Sequence, residues 1–133
     1  MRRNISVVVL AMVLPVAFAW ADNKEPQENV DETIRYLLDY VAKSDCTFIR
    51  NGTAYDGKKA SEHLESKYKY FKKEIVTPED FIRLAATKSL LTGKPYMIKT
   101  KDGTELRSDD WLKKILEDYR KTQKEKKEKD RNG

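Results

Sequence analysis

The segment SDCTFIRNGTAYDG, residues 44–57, contains two short strand-like runs separated by Asn51-Gly52. Asn-Gly is the strongest short-range signal for a two-residue hairpin turn, because both turn residues must accept positive φ. The segment therefore predicts a β-hairpin with strands at residues 47–50 and 53–56.

The turn also fixes which residues of this hairpin face each other. A two-residue loop pairs Phe48 with Tyr55 and Ile49 with Ala54. Side chains alternate along a strand, so Cys46 lies on the face of Phe48 and Tyr55, which we expect to be the core side. Free cysteine is often buried, and this position favours a small buried residue.

Amphipathic helices are predicted on both sides of the hairpin. Apolar residues recur at helical spacing over residues 30–43, with charged residues between them. A second helix is predicted to open at Asp56 or Gly57, with an apolar stripe from Ala60 to Ile75. The hairpin is thus flanked by two helices that each have one apolar face.

A third helix is predicted to begin at Thr77, which is a good N-cap, followed by Pro78 at the first helical position. Its apolar residues continue well beyond the first two turns, and Gly93 closes it. Lys88 and Ser89 then lie inside this helix as neighbours that point apart, which argues against a serine and lysine catalytic pair.

A second hairpin is predicted from residues 95–100 and 104–107. A three-residue loop at 101–103 sets Ile98 against Leu106 and pairs opposite charges, whereas a two-residue loop sets apolar residues against charged ones. We therefore expect the three-residue loop. Ser108 is expected to cap a last helix with one apolar face, formed by Trp111, Leu112, Ile115, Leu116 and Tyr119.

Together these elements predict a single α+β domain over residues 30–119. Two β-hairpins form a small antiparallel sheet that packs against about four helices. Residues 22–29 are polar and predict a flexible lead. Residues 120–133 have no apolar residue to bury and predict a charged tail, either disordered or a helical extension.

The first residues have the layout of a secretory signal peptide. Arg2 and Arg3 precede an apolar run that ends near the triplet Ala19-Trp20-Ala21, after which we expect cleavage. An uncleaved anchor is the alternative, although the run falls short of the roughly 20 apolar residues that a span needs. We expect an exported, periplasmic protein with no stable membrane span after signal removal.

The formal net charge of +5 does not describe a basic surface. The signal segment carries +2 and residues 120–133 carry +4, which leaves the body at −1. A nucleic-acid partner is therefore not expected, because duplex binding needs a basic face on the folded domain.

The chain contains one cysteine, Cys46, and one histidine, His63. They are weak candidates for a thiol-dependent enzyme, since apolar surroundings disfavour a thiolate. Alternatively, Cys46 links two copies in a disulfide homodimer. No metal site or cofactor is predicted, because one His and one Cys are too few ligands and no phosphate-binding loop has the required context.

A possible binding face combines cationic and aromatic residues on or near the hairpins. Its candidate members are Arg50, Tyr55, His63, Lys67, Lys88 and Tyr96. In the alternative interpretation the tyrosines lie at the core edge and the charges belong to ordinary surface. The leading hypothesis is a non-enzymatic binding or interaction module, monomeric or weakly dimeric, whose partner is an envelope protein or a small ligand.

Four segments of the chain are distinctive: DCTFIRNG at 45–52, EHLESKYKYF at 62–71, TPEDFIRLAATKSLLTGKPY at 77–96, and the closing Trp-Leu at 111–112. Over about residues 34–120 the chain resembles the YfeK-like family of small exported proteins of Gram-negative bacteria. The resemblance implies a periplasmic address. That family is a domain of unknown function, so it implies no activity, substrate or catalytic residue.

Overall fold

The computed structural model describes residues 27–133. The predicted signal peptide, its cleavage after Ala21 and most of the predicted lead lie outside the described residues. In chain order the elements are α1 Val30–Lys43, β1 Thr47–Arg50, β2 Thr53–Tyr55, α2 Gly57–Tyr70, α3 Pro78–Ala85, β3 Met97–Lys99, β4 Glu105–Arg107 and α4 Ser108–Asn132.

The four strands form one antiparallel sheet in the order β2-β1-β3-β4. Phe48 pairs with Tyr55 in the first hairpin, and Ile98 pairs with Leu106 in the second, as the sequence predicted. Strands β1 and β3 join the hairpins, with Phe48 opposite Ile98. The predicted α+β class with two hairpins in one sheet is confirmed.

The core lies between the helices and the sheet. Phe48 and Ile98 are buried on one face of the central strands, where helices from both halves of the chain meet them. The largest fully buried apolar side chains include Ile34, Leu37, Val41, Phe81, Ile82, Ile98 and Leu112. Burial of such side chains is the main favourable contribution to folding.

The helix starts follow the predicted caps in part. The Asp56 carboxylate accepts a hydrogen bond from the backbone of α2, and Thr77 forms a capping box at the start of α3. The predicted cap at Ser108 is wrong, because Arg107 is the N-cap residue and Ser108 is already helical. The Ser108 N–H donates instead to the Tyr96 carbonyl, at 2.9 Å, which ties the start of α4 to the sheet.

Helix α2 ends at Tyr70, short of the predicted end at Ile75. A turn follows, closed by a bond of 3.1 Å from the Ile75 N–H to the Phe71 carbonyl. Ile75 is nevertheless buried, with 9% exposure. The apolar pattern was correct about burial but wrong about helix length, because a turn delivers this side chain to the core.

Helix α3 ends at Ala85, and the prediction that it continues to Gly93 is wrong. The Thr87 hydroxyl donates to the Ile82 carbonyl, and the Thr87 carbonyl accepts from the Tyr96 N–H at 3.0 Å. Backbone pairing with the chain before β3 replaces the helical bonds. Lys88 and Ser89 therefore lie in a loop, not inside a helix.

Helix α4 continues through residues 120–132 as one helix. Where this extension leaves the body, the Arg120 guanidinium binds the carboxylates of Glu28 and Glu79. Among residues 27–133, none of the helices has the length and apolar character needed to cross a membrane.

Candidate binding site

A cavity of about 290 Å³ opens between the first hairpin, α2 and the start of α4. Apolar side chains form much of its wall, namely Phe48, Ile49, Ala60, Leu64 and Met97. Its polar lining includes Arg50, Tyr55, His63, Tyr96 and Ser108. This size lies near the lower end of the range of roughly 300 to 1,000 Å³ that is typical of ligand pockets.

A hydrogen-bonded cluster occupies the polar side of the cavity. Arg50 Nη1 lies 2.6 Å from His63 Nδ1 and 2.9 Å from Nε2, and Arg50 Nη2 donates to the Tyr55 hydroxyl at 3.2 Å. His63 Nε2 also lies 3.1 Å from the Tyr96 hydroxyl. Arg50 lies on β1, Tyr55 on β2 and His63 on α2. Tyr96 directly precedes β3.

Lys67 lies behind Tyr96, one helical turn after His63. Its ammonium donates to the Lys88 carbonyl at 3.0 Å and to the Tyr96 hydroxyl at 3.3 Å, and it lies 4.8 Å from the Tyr96 ring centroid. The residue is only 6% exposed. Two neutral oxygens and an aromatic face therefore hold this buried cation.

The two cations of the cluster have no counter-charge within it. Among residues 27–133, Arg50 and Lys67 form no ion pair, whereas nearby Lys59 lies 3.5 Å from Glu62. Buried charges are normally paired, since loss of hydration is costly. The cavity wall thus has an excess of positive charge.

Burial and this positive charge shift the titration of both basic groups. Burial is the main cause that lowers the pKa of His63 to about 4, with further lowering by Arg50 and Lys67. Burial and the Arg50 charge lower the pKa of Lys67 to about 8. At neutral pH the imidazole is therefore uncharged, while most of the Lys67 population still has its proton.

The structure brings together the predicted binding residues, with one change of role. Arg50, Tyr55, His63 and Tyr96 line the cavity with their side chains. The exposed Lys88 takes part through its backbone carbonyl, not through its ammonium, because the predicted helix does not reach it. Lys67 stands behind the cavity wall.

Ser108 and Met97 were not among the predicted site residues, although both line the cavity. Met97 is brought there by its pairing with Ile49 across β1 and β3. The sequence indicated each hairpin separately but not which of their strands are neighbours. The pairing of apolar residues across two central strands was the signal that could have identified Met97.

Cys46 lies in another part of the molecule. It is half-buried, packs against the core and lines a second groove with Tyr36, Tyr40 and Trp111. His63 lines the first cavity instead. The structure therefore does not bring the two candidate catalytic residues into one site, and the thiol is less buried than its strand face suggested.

The arrangement of potential metal ligands gives little support for metal binding. Within residues 27–133 there is no cluster of three or more His, Cys, Asp or Glu side chains that could hold a metal ion. The cluster beside the cavity consists of cations, tyrosines and a neutral imidazole, which suits an acceptor ligand better than a cation.

Comparison with known proteins identifies a family and a relative of this chain, but neither has a known activity. The chain is 39% identical over 92 residues to the uncharacterized protein YfeK of Salmonella typhimurium strain LT2, an alignment that covers 68% of this chain and 72% of the relative. No solved structure matches it. Residues 28–120 match a family of unknown function, DUF5329, and they contain the whole cavity. The chain therefore belongs to the DUF5329 family.

Proposed function

We propose that this protein is a non-enzymatic binding module of the periplasm and that the cavity beside Arg50 is its ligand site. The observation that carries the proposal is the convergence of Arg50, His63, Tyr55 and Tyr96 on one wall of an otherwise apolar cavity. Pockets that bind small ligands typically combine apolar walls with a few converging polar groups.

The chemistry of the cluster favours binding over catalysis. An efficient general base has a pKa near the working pH, whereas the pKa of His63 is lowered to about 4. A nucleophile must also lie within hydrogen-bond reach of its base, and Cys46 lines a different groove. These features leave His63 the role of a hydrogen-bonding element in the wall.

Ligand binding at the cavity is tested by filling it. Met97 is half-buried on β3, so Met97→Trp should occupy the cavity while leaving the fully buried core untouched. We expect compounds from a periplasmic extract to raise the melting temperature of the wild type but not of Met97→Trp.

The matched control is Leu106→Trp, since Leu106 lies on β4, is 39% exposed and does not line the cavity. This variant should respond to ligand like the wild type. If no fraction of the extract shifts the wild type, or if Met97→Trp responds equally, the cavity is not the ligand site.

Residues 1–21 support the periplasmic part of the proposal through their charged start and apolar run. Fractionation of cells that express the full chain should recover a shortened protein in the periplasm. A chain that lacks these residues should stay in the cytoplasm. Full-length protein in the membrane fraction would indicate the uncleaved anchor instead.

A further inference from the structure

The hydrogen-bonding groups of the cavity limit the chemistry of its ligand. We infer that the cavity binds a monocarboxylate with a short apolar body, its carboxylate held by Arg50, Tyr96 and Ser108. This inference rests on the proposed function, because it takes the cavity as the ligand site and adds the class of ligand.

The neighbours of His63 determine which ring nitrogen has the proton. A guanidinium can only donate, so the ring nitrogen that faces Arg50 must be an acceptor. Arg50 Nη1 lies 2.6 Å from Nδ1 and 2.9 Å from Nε2, and assigning the hydrogen bond to the shorter contact places the proton of the neutral ring on Nε2. Nε2 then donates to the Tyr96 oxygen, 3.1 Å away.

The Tyr96 oxygen consequently accepts two hydrogen bonds, one from His63 and one from Lys67. Its own hydroxyl proton has no acceptor within the cluster. The Tyr55 oxygen is in a similar position, because it accepts from Arg50 Nη2. Both phenols are therefore left with a proton to donate.

Ser108 adds a further donor at the start of α4. The residue lines the cavity and is 3% exposed, and a serine hydroxyl can donate a hydrogen bond to a ligand there. Glu62 is the one carboxylate among the lining residues, and it is occupied by Lys59. Donor groups thus outnumber carboxylates in the lining of the cavity, which favours a ligand rich in acceptors.

The charge and the shape of the cavity indicate that the ligand is a carboxylate. Lys59 and Glu62 offset each other, which leaves Arg50 as the unpaired cation of the cavity wall, with Lys67 behind it. A carboxylate accepts charge-assisted hydrogen bonds from a guanidinium, and its single charge matches the one cation of the cavity wall that has no ion pair. The apolar walls, which include Phe48 and Leu64, require a ligand that also has an apolar body.

The inference is tested with octanoate, 1-octanol and octyl phosphate, which share a chain and differ in the head group. Calorimetric titration of the full mature chain at neutral pH should give at least about ten-fold tighter binding of octanoate than of 1-octanol, the scale of one charge-assisted hydrogen bond. Octyl phosphate should bind more weakly than octanoate.

Variants assign the difference to the proposed residues. Arg50→Gln should reduce octanoate binding to the level of 1-octanol while leaving 1-octanol unaffected. Arg83→Gln is the control, because Arg83 is exposed on α3 and pairs with Asp80. If Arg50→Gln does not fold, Ser108→Ala provides the second test and should weaken octanoate selectively.

The outcomes test the class of ligand and the location of its binding site independently. Equal binding of octanoate and 1-octanol, abolished by Met97→Trp, would overturn the carboxylate inference and keep the proposed function. Tightest binding of octyl phosphate would overturn it in favour of a phosphate ligand. Octanoate binding that Met97→Trp leaves unchanged would place the ligand outside the cavity and overturn both proposals.

Discussion

His63 connects the electrostatics of the cavity to pH. The imidazole is neutral because it is partly buried and faces two cations, Arg50 and Lys67, together with the phenols of Tyr55 and Tyr96. Burial and these cations lower its pKa from the ordinary value of 6.5, which we expect in the unfolded chain, to about 4 in the folded protein. Between these values the unfolded chain binds more protons, so the free energy of unfolding falls as the pH falls.

The replacement His63→Gln should therefore reduce the loss of stability between pH 6.5 and pH 4. Glutamine can still bond to Arg50 or Tyr96 but does not titrate. Chemical denaturation at several pH values measures the effect. Parallel pH dependence of wild type and variant across this window would contradict the lowered pKa.

Cys46 should have little influence on the cavity, because it lines the second groove beside Trp111. We expect Cys46→Ser to leave ligand binding at the cavity unchanged within about two-fold. Being half-buried, the thiol should react with a labelling reagent in the native protein, more slowly than in denaturant.

A loss of ligand binding in Cys46→Ser would instead connect the thiol to the site. The disulfide-linked homodimer remains a prediction of the sequence. Non-reducing electrophoresis checks it, since a dimer band that collapses with reductant would show an intermolecular bond.

At the level of elements, the first hairpin is connected to the loop after α3 through its turn. Asn51 Nδ2 donates to the Ser89 hydroxyl at 3.1 Å, and Asn51 Oδ1 accepts from the Thr92 hydroxyl at 2.6 Å. Asn51 itself has φ of 50°, as the predicted turn requires. The side chain that suits the turn thus also holds the loop that carries Lys88.

Asn51→Gly separates these two roles, because glycine accepts the turn conformation but removes both side-chain bonds. We expect a loss of roughly 1 to 2 kcal/mol of stability, the scale of two side-chain hydrogen bonds, one of them part-buried. Thr92→Val breaks the connection from the other side: it removes the bond to Asn51 and also the one that the Thr92 hydroxyl accepts from the Lys94 N–H, so it should cost a similar amount. Unchanged denaturation midpoints in both variants would show that the connection contributes nothing.

The sequence could predict local features because they depend on local chemistry. The Asn51-Gly52 turn and the three-residue loop at 101–103 each set a strand register, and both registers are confirmed. The end of α3 was missed because the bond between Tyr96 and Thr87 is a tertiary contact. An apolar pattern shows which residues are buried, but not whether a helix or a loop buries them.

The site was predictable in composition but not in geometry. The cationic and aromatic residues near the hairpins were chosen by type, and the structure gathers them. The contributions of Ser108 and Met97 depend on the β1–β3 pairing and on the orientation of α4. Those relations between distant segments have no local signature in one sequence.

At the scale of the whole molecule, Arg120 separates the body from the helical extension. Beyond it the α4 side chains are almost all exposed, so they bury little apolar surface. Removal of residues 121–133 should leave the melting temperature nearly unchanged. Arg120→Gln should lower stability by about 1 kcal/mol, because it leaves Glu28 and Glu79 without their partner.

Thermal unfolding of the truncated chain and of Arg120→Gln under the same conditions measures both effects on stability. The truncated chain retains Arg120 and so serves as the control for the substitution. A large loss of stability on truncation would show that the extension belongs to the folded unit.

The contact between Arg120 and Glu28 also brings together the two ends of the segment shared with the family, which spans residues 28–120. A short linker could therefore join these ends, and the exposed turn after Phe71 could supply new ones. Such a circular permutant would keep every strand neighbour while reversing the order of the two halves. The same closeness would allow the domain to be inserted into a surface loop of a host protein, where ligand binding could be reported by the host.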